Sequence, residues 1–197
     1  MGRRKTYDRD EITDRAMRLF WERGYHNTST RDLTDAMDVN PYSLYAEFGS
    51  KEALFDAALE LYDERVVGRN FGPLETEAAG LAQVVAVLSF FAEVSHSDTA
   101  HLGCLRCNTS TELAPSPESS RASTARFVAR LTAAFANALG NARARGELAQ
   151  DAPIDALAAS LTAHQLGASV LMRAGVDSAL TRAATDQVLA RLRAFAV

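Results

Sequence analysis

The sequence predicts an all-α chain of about nine helices, with a three-helix amino-terminal domain over residues 1–50 and a larger helical domain over residues 51–197. Three observations predict it. Apolar residues recur at three- and four-residue steps along most of the 197 residues. Eleven Gly and five Pro are few enough to permit long helices, and cap residues stand in the gaps between the periodic stretches. No internal repeat is present, so the helices form one sequence-specific arrangement rather than a solenoid.

The first helix begins near Asp8 or Asp10 and carries Ile12, Ala16, Leu19 and Phe20 on one face, with Gly24 just past its end. Ser29-Thr30-Arg31-Asp32 then fits a capping box. The Ser29 hydroxyl accepts from the Asp32 N–H while the Asp32 carboxylate, standing in for the usual Glu, reaches back. Helix two is expected from about Thr30 to Met37. After a turn at Asp38-Val39, Asn40 is a good N-cap and Pro41 suits the first helical position, where its missing N–H costs nothing. Helix three runs to Phe48 with Leu44 and Phe48 pointing inward. Ser50 caps a fourth helix that opens Lys51-Glu52-Ala53-Leu54-Phe55 and continues past Leu59, Tyr62 and Val66 toward Gly68.

That spacing over Ile12 to Phe55 is how a helix-turn-helix presents one helix end to DNA. Backbone N–H groups and hydroxyls at the start of helix two, Ser29 and Thr30, suit phosphate, as does the start of helix four at Lys51. Arg31 and Asn40 stand in the same turns. Pro41, Tyr42 and Ser43 occupy the first turn of helix three, where Tyr42 offers a hydroxyl and an aromatic face to base edges and thymine methyls. The alternative for Tyr42 is an exposed aromatic without a role. The net charge of −4 gives no global attraction to nucleic acid. Residues 1–51 hold nine basic and nine acidic side chains, so affinity must come from local placement. Arg3-Arg4-Lys5 is a short basic arm that suits a phosphate backbone or a minor groove, or is simply a solvated tail.

The pattern Ile12, Ala16, Leu19-Phe20, Gly24, Thr28-Ser29, Arg31-Asp32-Leu33, Val39, Ser43-Leu44-Tyr45, Phe48, Lys51-Glu52 and Leu54-Phe55 resembles the DNA-binding region of the TetR family of transcriptional regulators. The resemblance covers the first quarter to third of the chain. It implies an all-helical homodimer that binds a palindromic double-stranded operator, by default as a repressor, and that a small effector in the second domain releases. It also implies that Tyr45 contacts phosphate; the alternative, from its neighbours Leu44 and Phe48, is a core aromatic. Two residues depart from the family pattern. Asp38 stands where the family usually has Gly; it can take a left-handed conformation at some cost, and it adds a negative charge near the DNA face. Pro41 replaces a residue that is often basic.

Beyond Gly68, Asn70-Phe71-Gly72-Pro73 reads as a break, followed by a helix from about Leu74 to Ser95 with Leu81, Val84, Val85, Leu88 and Phe91 in register. His96 to Leu102 is a polar connection, and a short helix runs from Leu102 to Leu113. Ser116 and Pro117 suit the cap and first turn of a helix carrying Phe127, Leu131, Phe135 and Leu139 to about Arg145, where Gly146 stops it. Asp151-Ala152-Pro153 starts a helix with Leu157, Leu161 and Leu166 that reaches about Ala174. Ser178 or Thr181 opens the last, with Val188, Leu189, Leu192 and Phe195.

The last two helices are the candidate dimer interface, through Leu157, Leu161, Ala168, Leu189 and Leu192, with small residues Ala158, Ala159, Ala163 and Gly167 permitting close approach. Intrachain packing of the same faces is the alternative. Two reading heads would need half-sites roughly 34–36 Å apart or more. The family places its effector pocket among helices four to eight, where Phe90, Phe91, Cys107, Thr111, Phe127, Leu131 and His164 are candidates, each also readable as ordinary core.

Gly103-Cys104-Leu105-Arg106-Cys107-Asn108, with Glu112-Leu113 downstream, resembles a motif of one branch of the family that usually has a single Cys here. Cys104 and Cys107, three residues apart near a helix start, share a face, and the helix dipole favours a thiolate at Cys104. A thiol sensor is one reading. With His96 and His101 just upstream, a four-ligand metal site is another, and two small buried residues of a reduced protein is a third. No resident cofactor is expected.

Enzyme classes fit poorly, since there is no phosphate-cradling Gly loop, no Ser nucleophile elbow and no acid pair with catalytic spacing. A helical ligand-binding protein without specific DNA binding is the competing class, motivated by Asp38 and the neutral reader. Met1-Gly2 with Thr6 matches a short acylation pattern too common to weigh. No apolar leader core follows the basic residues, and Leu81 to Val94 is too short and too interrupted to span a bilayer, so a cytoplasmic protein is expected.

Overall fold

A computed structural model describes residues 8–113 and 118–197, with the side chains of 118–121 left aside. The described residues form α1 (Arg9–Arg23), α2 (Thr30–Met37), α3 (Pro41–Phe48), α4 (Lys51–Tyr62), α5 (Gly68–Glu75), α6 (Leu81–Val94), α7 (Leu105–Glu112), α8 (Glu118–Ala144), α9 (Ile154–Arg173) and α10 (Ser178–Arg193). A π-helical turn, Asp63–Val67, joins α4 to α5 without a gap. Counting that run as one, the described residues hold nine helices. Their only extended pairing is a single antiparallel bridge between Leu148 and Ala196.

Two compact units divide the chain after Val66. In the first, Asp8 caps α1 by accepting from the Asp10 N–H at 2.9 Å, and Ile12, Ala16, Met17, Leu19 and Phe20 form its buried face. Phe20 meets Phe55 edge-on at 4.9 Å, and Tyr25 lies 4.9 Å from the same ring. Leu54, Phe55, Ala58, Leu59 and Tyr62 of α4 are all buried. Each large apolar side chain so placed stabilises by about 1.5–3 kcal/mol. Because α4 packs on α1, the first unit reaches Val66, whereas the sequence reading ended the domain at residue 50.

The second unit corrects one boundary. The break expected at Asn70-Phe71-Gly72-Pro73 is helical, and Pro73 lies inside α5. Proline within a helix costs about 3 kcal/mol. Burial of Phe71 and Leu74 offsets it, with Phe71 stacked 5.4 Å from Phe91 and 6.2 Å from Phe135. The helix ends two residues after Pro73, and the Asn137 amide of α8 donates to the carbonyls of Leu74 and Thr76 at 2.8 and 3.0 Å. Consequently α6 starts at Leu81 rather than Leu74, where Gln83 accepts from the Gly80 N–H at 2.9 Å and Glu147 from the Leu81 N–H at 3.1 Å.

The core of this unit runs along α8, where Phe127, Leu131, Phe135 and Leu139 are buried as their spacing predicts. Against it lie α5 on one side and α9 on the other. Between α6 and α7, residues Ala100–Leu102 form a 3-10 turn, so α7 begins at Leu105 and not at Leu102. Gly103 follows that turn at φ 58°, and a Cβ there would fall 2.8 Å from the Ser169 carbonyl oxygen. Only glycine permits that approach to α9.

Candidate nucleic-acid interface and effector cavity

The capping box at α2 is complete. The Asp32 N–H donates to the Ser29 hydroxyl at 3.1 Å, the Ser29 N–H donates to the Asp32 carboxylate at 2.8 Å, and the hydroxyl itself also reaches that carboxylate. These bonds, the Ser29 hydroxyl's first, hold the Asp32 carboxyl below its usual range. Asp38 closes α2 in the left-handed region at φ 54° and ψ 45°, the one non-glycine positive φ among the described residues. Asn40 then caps α3 by accepting from the Ser43 N–H at 2.8 Å, with Pro41 at the first helical position.

This geometry turns the apolar side of α3 inward and its first turn outward. Leu44 and Phe48 are buried, whereas Tyr42 is 84% exposed and Tyr45 45% exposed. Tyr45 is therefore not a core aromatic. Its hydroxyl lies 3.1 Å from the Thr30 hydroxyl, so α2 and α3 bring two hydroxyls to one point beside the free N–H groups of the α2 start. Arg31 projects from the same turn, 3.7 Å from Asp35, with its side chain 91% exposed. One hydroxyl pair, one guanidinium and a helix start suit a phosphate, and an exposed Pro41-Tyr42-Ser43 turn suits base edges.

Lys51, expected to meet phosphate at the start of helix four, is held by Tyr25. It donates to the Tyr25 carbonyl at 2.6 Å, and Nζ lies 4.1 Å from the Tyr25 ring centre. The Tyr25 hydroxyl donates to Glu52 at 2.8 Å. Burial, then that bond, pushes the phenol up to about 12, while the same bond holds the Glu52 carboxyl down. Sequence reasoning missed Tyr25 because its partners lie 26 and 27 residues away, outside any local pattern. Arg3, Arg4 and Lys5 lie outside the described residues.

In the second unit, a cavity of about 200 Å³ opens between α7, α8 and α9. Of the expected pocket residues, Cys107, Thr111 and Phe127 line it. Four do not. Leu131 is spent in the α8 core, and Phe91 is stacked on Phe71. Phe90 faces outward at 49% exposure beside Phe91. His164 turns toward α10, 3.1 Å from the Thr185 hydroxyl, and burial lowers its pKa. The lining that sequence reasoning missed comes from Val128, Leu166, Gly167 and Val170, with Arg106, Ser110 and Thr124 among the polar residues. Helical period alone did not separate these from neighbouring core positions.

Cys104 is the N-cap of α7 and half-buried, and Cys107 is buried one turn on. Their thiols are hydrogen-bonded; that bond first and burial second push Cys107 well above the ordinary thiol range, with Ser169 pulling weakly the other way. The histidines are directed elsewhere. His96 lies 2.8 Å from the Ser178 hydroxyl and 3.1 Å from the Arg182 guanidinium, and His101 Nδ1 lies 2.7 Å from the Asp98 carbonyl. Among the described residues no three ligating side chains gather in one place, so the four weak metal candidates His96, His101, Cys104 and Cys107 do not form a cluster.

The candidate interface residues need correction. Leu157, Leu161, Ala168, Leu189 and Leu192 are each no more than 6% exposed within the single chain, because they pack α9 and α10 onto their own unit. They cannot form a face for a second copy. The outer side of α9 instead exposes Ala159, Ala163, Gly167 and Val170 at three- and four-residue steps, and α10 exposes Leu180, Ala183, Gln187 and Ala190.

Comparison with known proteins agrees with this arrangement. The family described as "Bacterial regulatory proteins, tetR family" matches residues 12–58, and "Tetracyclin repressor-like, C-terminal domain" matches residues 80–188. The repressor ComR of Escherichia coli K12 is 38% identical over 117 residues, 58% of this chain, and the match spans about half (55%) of that repressor. YezE of Bacillus subtilis 168, described as an uncharacterized transcriptional regulator, is 31% identical over 182 residues, covering 90% of this chain and 92% of its own. A solved structure of the regulator CifR, in a cysteine-substituted form complexed with 26-base-pair double-strand operator DNA, superposes with a TM-score of 0.83 at 30% identity, covering 97% and 100% of the two chains.

Proposed function

The chain belongs to the TetR family of bacterial regulatory proteins, and from that premise we propose that it binds a palindromic double-stranded operator as a homodimer, represses transcription, and is released by a small-molecule effector. The observation that carries the reading is the first turn of α3. Asn40 and Pro41 preset it, Leu44 and Phe48 anchor it, and Tyr42 stands 84% exposed at its tip. An aromatic so exposed on so well-capped a turn is positioned for contact with base edges.

Affinity rests on placed groups rather than on bulk charge. The Thr30 and Tyr45 hydroxyls, Arg31 and the α2 N–H groups are assigned to one phosphate, and the α4 start with Lys51 to another. Ser29 and Asn40 act as caps that hold these turns, and Pro41 and Ser43 flank Tyr42 in the groove. A single neutral reading head binds weakly, which is why a dimer is needed. The exposed small residues of α9 and α10 supply a face that a twofold mate can approach closely.

The cavity lined by Cys107, Thr111 and Phe127 is the assigned effector site. At about 200 Å³ it suits a small, largely apolar molecule. Gly103-Cys104-Leu105 supports membership of the branch carrying that motif, since Gly103 has a steric reason to be glycine. The relatives are regulators rather than enzymes, and a role without catalysis, exercised in the cytoplasm where DNA is reached, is part of the proposal. No helix among the described residues is long and apolar enough to cross a membrane.

Footprinting on genomic fragments that the protein retains tests the reading. Two protected half-sites, roughly 34–36 Å or a multiple of that apart, are expected. Protection of an isolated half-site by one chain would contradict it.

A further inference from the structure

Cys104 and Cys107 are nucleophilic groups whose reactivity neither operator nor effector binding draws on, and their placement is specific. Cys104 has extended backbone, φ −113° and ψ 123°, and ends where α7 begins; Cys107 is in the first turn of that helix. Two residues both inside a helix have Cβ atoms about 5–6 Å apart, beyond the roughly 3.5–4.5 Å that a disulfide spans, but the extended backbone of Cys104 takes it off the helical path, and the two thiols are in hydrogen-bond contact. Gly103 fixes the chain against α9, and the Asn108 amide donates to the Leu102 carbonyl at 2.9 Å, so the two sulfurs are held on a braced turn.

We propose that Cys104 and Cys107 form a reversible dithiol that small hydroperoxides oxidise to an intrachain disulfide, with Cys104 as the reacting sulfur and Cys107 as the resolving one. Two observations assign these roles. Cys104 is half-buried and reachable, whereas Cys107 is 6% exposed. Cys104 stands at a helix amino terminus, which favours a thiolate.

The chemistry balances in two steps. The Cys104 thiolate attacks one oxygen of the hydroperoxide, an S–O bond forms, the O–O bond breaks, and the departing alkoxide takes a proton from water to leave as an alcohol. Cys107 sulfur then attacks Cys104 sulfur, the S–S bond forms, the S–O bond breaks, and hydroxide leaves with the Cys107 proton as water. Two thiols lose two electrons, and the peroxide gains them.

Oxidation also reaches the effector cavity. Cys107 lines it, so drawing its sulfur to Cys104 reshapes one wall. The disulfide itself does not depend on the DNA-binding reading, so it is tested apart from it.

The full-length protein is treated with hydrogen peroxide or cumene hydroperoxide, and digests are mapped by mass spectrometry under non-reducing conditions. A Cys104–Cys107 bridge within one chain, reversed by dithiothreitol, is expected. Cys107→Ser should stop at a Cys104 sulfenic acid that dimedone traps, and Cys104→Ser should lose most peroxide reactivity, each with the helical circular dichroism of the parent. Wild-type thiols that stay reduced at millimolar peroxide, bridges that join separate chains, or Cys104→Ser reacting as fast as wild type would each overturn the proposal.

Discussion

Lys51 donates to the carbonyl of Tyr25 at 2.6 Å while its ammonium lies 4.1 Å from the centre of the same residue's ring. A cation expected to meet phosphate is thus anchored before DNA arrives. Lys51→Ala should weaken binding to all sequences alike, reduce the salt slope by about 1, and lower stability by about 1–2 kcal/mol. Tyr25→Leu keeps the charge and the carbonyl but removes the ring. Its affinity should fall several-fold with an unchanged salt slope; equal slopes for all three proteins would remove Lys51 from the phosphate set.

Asp38 holds φ 54° at the end of α2, a conformation that costs a non-glycine residue about 1 kcal/mol or more. Asp38→Gly should raise stability by about 1 kcal/mol in thermal unfolding. It should also tighten DNA binding, because a carboxylate leaves the neighbourhood of the phosphates. A variant that is stabilised but binds no tighter would place Asp38 away from the DNA.

The exposed stripe on α9 and its buried neighbours should separate two effects. Ala163→Glu places a charge on the outer face and is expected to give a folded monomer by sedimentation. Leu161→Ala opens a hole in the core and should cost about 2–5 kcal/mol without favouring monomers. A dimeric Ala163→Glu protein would move the interface elsewhere.

Glu75 is held below its usual range by Arg130, whose guanidinium meets both carboxylate oxygens at 2.6 and 3.0 Å. A carboxyl depressed in the folded state adds stability above its unfolded value near 4.5, and that stability is lost as pH falls through the folded value. Arg130→Gln should therefore cost under about 1 kcal/mol at neutral pH, the pair being partly exposed. The difference from wild type should shrink on acidification, as urea titrations at both pH values would read. A constant difference would assign the loss to packing instead.

How much was legible in the sequence divides by distance along the chain. The Ser29–Asp32 box, the Asn40-Pro41 cap and the left-handed Asp38 are set by residues within four positions of one another, and all three stand as read. Pro73 within α5 is the opposite case, since a local breaker yields to Phe71 and Leu74 packing against a helix some sixty residues away. The leucines of α9 and α10 show a further limit. Periodicity identifies an apolar face but not whether that face meets its own chain or a second copy. Here the leucines at 157, 161, 189 and 192 turn inward, while the outer faces mix small residues with Val170 and Leu180. The cavity was partly legible for the same reason, because Cys107, Thr111 and Phe127 were read as pocket residues while Gly167 was read only as a point of close approach and Val170 bore no local mark.

The central claim is that the α3 tip reads DNA sequence as one of a symmetric pair. Selection from a random duplex library, run with wild type and with Tyr42→Ala, tests it most directly. Wild type should enrich one inverted repeat, with affinity that falls steeply as salt rises. Tyr42→Ala should keep the spacing but relax the preference within each half-site, by about 1–3 kcal/mol of discrimination. A wild-type pool with no inverted repeat, or identical preferences for the two proteins, would contradict the account.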